Sequence, residues 1–112
     1  MYREGANPDD IAIEDVLCDF CGRAAWAAGL PCVEGHNGSL ICGDCLTRAW
    51  LSIAADEFSD PSTTPCTMCL EVREGAWWRG DHGEAHICRR CTRQSAGVLH
   101  KSKDWDWVRP TP

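Results

Sequence analysis

The chain has 112 residues, a formal net charge of −6 at pH 7, nine cysteines and six tryptophans. That length holds one domain or two very small ones, and units of about 45–50 residues bury too little apolar surface to fold securely without metal, disulfides or a partner. The acidic balance argues against a general nucleic-acid binder, which presents a basic face, and no apolar stretch reaches the length of a membrane span.

Residues 1–15 read as an N-terminal segment. It lacks the apolar run of a secretory signal, so a reducing, cytoplasmic setting is expected. Asp9, Asp10, Glu14 and Asp15 read as a solvated acidic run rather than a catalytic pair.

Eight of the nine cysteines then come as four C-x-x-C pairs: Cys18/Cys21, Cys42/Cys45, Cys66/Cys69 and Cys88/Cys91. Two thiolates three residues apart grip one metal ion from a tight turn. Two such knuckles complete a tetrahedral shell of four thiolates, which suits Zn²⁺ and leaves no position open. Four knuckles predict two Zn²⁺ per chain. Disulfides are the rival use of these cysteines, but pairs at this spacing close only a small loop and constrain little.

The chain reads as two similar halves. Residues 16–58 form the first zinc finger: knuckle, a loop with Trp26, a hairpin turning at Gly35–Gly38, a second knuckle, then a helix. Leu46, Ala49, Trp50, Ile53, Ala54 and Phe58 recur at the spacing of one helical face, and Asp60-Pro61 should end it. Residues 59–65 are a breaker-rich linker. Residues 66–100 repeat the order around Trp77-Trp78, with a turn at Gly80–Gly83 and a helix expected to be shorter and weaker because Gly97 lies inside it. Residues 101–112 form a tail in which Trp105 and Trp107 alternate with aspartates, a pattern predicting a short strand with one aromatic face. It packs back on the second finger, or docks into a partner or a second copy of the chain. The predicted fold is small, metal-stabilised α+β, with two tandem treble-clef fingers.

Pairing within each half puts Cys18, Cys21, Cys42 and Cys45 on one ion and Cys66, Cys69, Cys88 and Cys91 on the other. A RING-like order using Cys32 and His36 needs a longer gap to Cys42 than such sites use and leaves Cys88/Cys91 without a role. Cross-bracing of the first and third pairs is also possible, but the linker favours sequential sites. Cys32 reads as a small core thiol. His82 and His86 read as hairpin surface residues, and Trp26, Trp50 and Trp77 or Trp78 as core. Arg89, Arg90 and Arg93, with His100, Lys101 and Lys103, read as a solvated face softening the second centre's charge, or as a local anion or partner patch. Each tetrathiolate centre adds about −2, taking the loaded chain to about −10.

Each half resembles the four-cysteine zinc finger at the N-terminus of ClpX-type unfoldases. The matching residues are Cys18-Asp19-Phe20-Cys21-Gly22 and Leu40-Ile41-Cys42-Gly43-Asp44-Cys45-Leu46; the second half keeps the spacing but has Leu70 in place of the glycine and Thr92 after its last cysteine. The resemblance covers about residues 16–58 and 64–99. It implies a finger that dimerises and recruits adaptors and substrate proteins, with the two halves packed as an intramolecular pair. No phosphate-binding loop accompanies it. The expected function is protein–protein recognition, through a protein partner or self-association, with no membrane role and no enzymatic activity. The rivals are a zinc-ribbon-like nucleic-acid binder and a zinc–thiolate redox sensor.

Overall fold

The computed structural model describes residues 1–55, 64–73 and 75–110. Strand β1 (Cys32–Glu34) pairs antiparallel with β2 (Leu40–Cys42), and helix α1 (Gly43–Ala54) follows directly. Strand β3 (Trp77–Arg79) pairs antiparallel with β4 (His86–Cys88), and helix α2 (Arg89–Lys101) follows. The result is a small α+β fold of two hairpins and two helices. None of the described helices is long and apolar enough to cross a membrane.

The hairpin turns fall where the glycines place them. Asn37 and Gly38 both take positive φ, and so does Gly83. The helices begin earlier than the apolar periodicity indicates. Cys42 and Cys88 are their N-caps, so each second knuckle is itself the first helical turn. α1 ends at Ala54; Phe58 and Asp60-Pro61 lie outside the described residues. α2 is not the shorter helix: it spans 13 residues against 12 in α1. Its buried face of Cys91, Thr92, Ser95, Ala96 and Leu99 holds it, and packing overrides the roughly 1 kcal/mol that Gly97 costs.

The halves share one core. Phe20, Ile41, Leu46 and Ala49 from the first pack with Trp78, Ile87 and Leu99 from the second. Phe20 stacks on Trp78 at 5.8 Å between ring centroids. Arg48 of α1 lies 5.2 Å from the Trp78 ring and reaches Asp81 at 2.7 Å.

The deepest link between halves is reciprocal. Phe20 and Met68 hold the same place, third in the first knuckle of each half. The Phe20 carbonyl accepts a hydrogen bond from the His82 amide at 3.0 Å, and the Met68 carbonyl accepts one from the His36 amide at 2.9 Å. Each knuckle is thus seated in the hairpin turn of the other half. Gly80 and Gly35, the residues that follow β3 and β1, make room for it.

Among the described residues, the C-terminal stretch forms no strand. Trp105 and Trp107 keep the predicted alternation, both half-buried against the core between exposed Asp104 and Asp106. The stretch bridges both helices: Arg109 N–H donates to His100 Nδ1 of α2 at 3.3 Å, and Trp107 contacts α1. The Trp107 indole donates to the Gly43 carbonyl and to Thr47 Oγ1, at 3.1 and 3.0 Å. The Trp50 indole donates to the Pro110 carbonyl at 3.1 Å. A buried indole needs both apolar cover and an acceptor, and α1's first turn supplies both.

Candidate metal centres

The first knuckle of each half is built by backbone. In one, Gly22 N–H donates to Cys18 O at 2.8 Å and Cys18 N–H to Arg23 O at 2.9 Å. In the other, Leu70 N–H donates to Cys66 O at 2.7 Å and Cys66 N–H to Glu71 O at 2.9 Å. Closing this turn requires a left-handed residue after the second cysteine. Gly22 supplies it at φ 77°, and Leu70 does so at φ 63° despite its side chain. A left-handed non-glycine residue costs roughly 1–2 kcal/mol, partly offset by glycine's greater chain entropy when unfolded. Leu70 is 46% exposed, so little burial is lost on replacing it. Leu70→Gly is therefore expected to raise stability by up to about 1 kcal/mol, read from the denaturation midpoint of the metal-loaded protein. Gly22→Ala should do the reverse, because its Cβ would also stand 2.9 Å from the His82 ring.

The second knuckle of each half is built by a helix. The N-cap sulfur Cys88 Sγ accepts from the Cys91 amide at 3.4 Å, and the positive end of the helix dipole favours thiolate there. The two knuckles are then stitched together: Cys42 N–H donates to Cys18 Sγ and Cys88 N–H to Cys66 Sγ, each at 3.4 Å. The side chain after each leading cysteine adds a brace. Asp19 Oδ2 accepts from the Leu40 amide at 2.7 Å, and Thr67 Oγ1 from the His86 amide at 3.1 Å.

These constraints bring together Cys18, Cys21, Cys42 and Cys45 in one group and Cys66, Cys69, Cys88 and Cys91 in another, with the sulfurs of each group within 4.8 Å of one another. All are free thiols. The Cys18–Cys45, Cys21–Cys42 and Cys69–Cys88 sulfur separations are 3.9, 3.8 and 4.0 Å. A regular tetrahedron with metal–sulfur bonds of about 2.3 Å has edges of about 3.8 Å. A disulfide needs about 2.05 Å. The donor set and its spacing fit one tetrahedral ion per group.

Cys32 belongs to neither group. Its thiol donates to the Leu30 carbonyl at 3.4 Å, and burial pushes its pKa up to about 12. His36, His82 and His86 join no metal group among the described residues. His86 is not a surface residue: it is buried, with its ring 5.4 Å from that of Trp77. Trp26 is not core; it is 38% exposed and lines a groove with Tyr2 and Ile13.

Two arginines complete the sites. Arg23 donates to Cys21 Sγ at 3.4 Å, to Cys42 Sγ at 3.5 Å and to Asp44 at 2.9 Å. Arg73 donates to Cys69 Sγ at 3.4 Å and pairs with Glu71. Each guanidinium offsets part of a tetrathiolate's negative charge. The sequence reading passed over both. Their common signal is a basic residue shortly after the first knuckle, but the offset differs, two residues after Cys21 and four after Cys69.

Four thiols this close cannot all ionise unaided. The hydrogen bond with Cys18 holds Cys42 far below its ordinary value, while the same bond pushes Cys18 up to about 11. Cys45 is driven up by its contacts with Cys18 and then Cys42. The second group repeats this, with Cys66 lowered through Cys88 and Cys88 raised to about 11. A divalent metal ion relieves the conflict by offsetting two of the four thiolate charges and bonding all four sulfurs. Unfolded thiols titrate near 8.5, so loading at neutral pH must release close to one proton per ligand. The loaded state holds thiolates whose effective pKa lies below the unfolded value, so its advantage is complete above about 8.5 and is lost as pH falls. Calorimetry in buffers of different ionisation heat is expected to show proton release approaching four per ion, with affinity falling steeply from pH 8 to pH 6.

Compared with family models, curated proteins and solved structures, the chain matches none.

Proposed function

We propose that the chain is a structural zinc protein of two treble-clef fingers, seated in each other as an intramolecular pair, whose work is protein–protein recognition. The observation that carries this is the closed donor set. Four sulfurs at tetrahedral spacing suit Zn²⁺ and would leave it no position for a substrate. The metal's contribution is then architectural: it joins knuckle to helix in units whose strands are three residues long.

The reciprocal seating supports the recognition half of the reading. It satisfies within one chain the pairing that the ClpX-type resemblance implies between two, so surface outside the seam is left for other proteins. That surface carries exposed apolar side chains, among them Val72 at 58% and Val98 at 57% exposure. Singly such residues are ordinary, but here Val98 lies on α2 and Val72 lines a hollow with that helix's arginines. The test joins three measurements on the same sample. Native mass spectrometry should find two zinc ions per chain, light scattering should report its assembly state, and the immobilised loaded chain should retain a protein from a reducing lysate. One ion or none, or no protein retained, would overturn the proposal.

A further inference from the structure

The exposed stripe of α2 forms one wall of a groove with two chemically different ends. Arg90, Gln94 and Val98 stand at i, i+4 and i+8, on one side of the helix, and all three are exposed. At the Val98 end a hollow of about 400 Å³ is floored by Val33 and Met68. At the other end a hollow of about 680 Å³ is lined by Arg73, Arg89, Arg90 and Arg93 around Val72. A third hollow, holding His36, Cys69 and Arg73, shares residues with both, and Gln94 lines all three. The three adjoin one another along the exposed face of α2.

The arginines are more than the metal centre requires. Arg73 alone of the four reaches a cysteine sulfur. Arg89, Arg90 and Arg93 form no ion pair among the described residues. The first half is an internal control. Its centre is also served by a single guanidinium, that of Arg23, and the positions matching Arg89, Arg90 and Arg93 are Gly43, Asp44 and Thr47. Softening the thiolate charge takes one arginine per site, which leaves three without that task.

We infer that this groove binds an acidic segment of a partner protein, with carboxylates at the Arg89–Arg90–Arg93 end and an apolar side chain at the Val33–Met68–Val98 end. The inference rests on the recognition reading above and specifies its surface. Charge complementarity fixes the direction: Glu34 lines the apolar end and disfavours carboxylates there, and Glu71 is already engaged by Arg73. Geometry fixes the length. Arg90 to Val98 spans eight residues of helix, about 12 Å, which an extended peptide crosses in about four residues. A nucleic acid fits less well. The chain carries −6 overall, and among the described residues no Trp, Tyr or Phe lines any of the three hollows to stack a base.

The test is fluorescence polarisation on the metal-loaded full chain, with a labelled peptide carrying one leucine, three Gly/Ser spacers and three glutamates. Binding should weaken as salt rises, and a lysine-for-glutamate peptide should bind at least roughly ten-fold more weakly. Arg90→Glu with Arg93→Glu should cost the acidic peptide roughly ten-fold or more, with metal content and circular dichroism unchanged. Val98→Ser should weaken the leucine peptide and leave an alanine version unaffected. Equal binding of the acidic and basic peptides, or no effect of the arginine pair, would overturn the inference. So would preference for an oligo(dT) probe through the same arginines. Capture of a protein partner undiminished by the arginine pair would sink the groove and leave the recognition reading standing. No protein capture by the loaded wild-type chain would sink that reading itself.

Discussion

Stripping the metal from this protein is expected to unfold all of it. Every described strand is three residues long, and neither two-stranded hairpin would be stable alone. The cysteine sulfurs are what join each first knuckle to the start of a helix. A structural zinc site supplies roughly 10 kcal/mol or more, comparable to the whole stability of a small domain. Without a cation the four clustered thiols cannot all ionise, and only weak thiol and backbone hydrogen bonds are left to hold knuckle to helix. The shared core spreads the damage. Phe20, beside Cys21, stacks on Trp78 of the other half, so Cys45→Ser should lower metal affinity at the second group as well as abolish it at the first. Far-UV circular dichroism and tryptophan fluorescence during chelation should show one cooperative loss, reversed by adding zinc. Cys32→Ser should keep both ions and most of the stability, since that thiol's polar contact is a single carbonyl. Helical dichroism surviving complete metal removal would refute this account.

The parts legible in the sequence are those fixed by local chemistry. Ligand spacing is set by the reach of two thiolates around one ion, so the eight cysteines announce their pairs without knowledge of the fold. The Gly35–Gly38 and Gly80–Gly83 turns and the buried face of Leu46 and Ala49 follow from φ > 0 positions and helical period in the same way. Other features depend on what stands across from a residue. Arg23 and Arg73 serve the same purpose from different offsets, so the repeat does not reveal them. His86 is polar by type yet buried, because Trp77 packs against its ring. Leu70 looked like a departure from the glycine of the first half, yet it adopts the same left-handed backbone, because knuckle closure dictates the turn and the side chain only changes its cost. Trp105 and Trp107 showed their alternation, but not that the first turn of α1 would take up an indole N–H.

The seam between halves makes the second strong prediction. At Gly80 a Cβ would lie 2.4 Å from the Phe20 carbonyl oxygen and 2.6 Å from the Phe20 Cα. At Gly35 it would lie 2.8 Å from the Met68 carbonyl oxygen and 2.5 Å from Ser39 Oγ. Neither glycine has a positive φ, so the requirement is for space and not for conformation. The obstructing atoms at Gly80 are mostly backbone, and that backbone belongs to a metal-binding knuckle, so it cannot swing aside without disturbing Cys18 and Cys21. Overpacking a core costs typically 1–3 kcal/mol and more where backbone must move. Gly80→Ala is accordingly expected to cost about 3 kcal/mol, and Gly35→Ala somewhat less, because the Ser39 hydroxyl can rotate. The matched control is Gly83→Ala. Its φ is 63° and nothing lies within 4 Å of the added methyl, so only the left-handed penalty of about 1 kcal/mol applies. Urea denaturation of the three zinc-loaded variants separates the terms. If Gly80→Ala proved no more damaging than Gly83→Ala, the two knuckles would not be seated in each other's hairpins, and the two halves would have to fold as independent fingers.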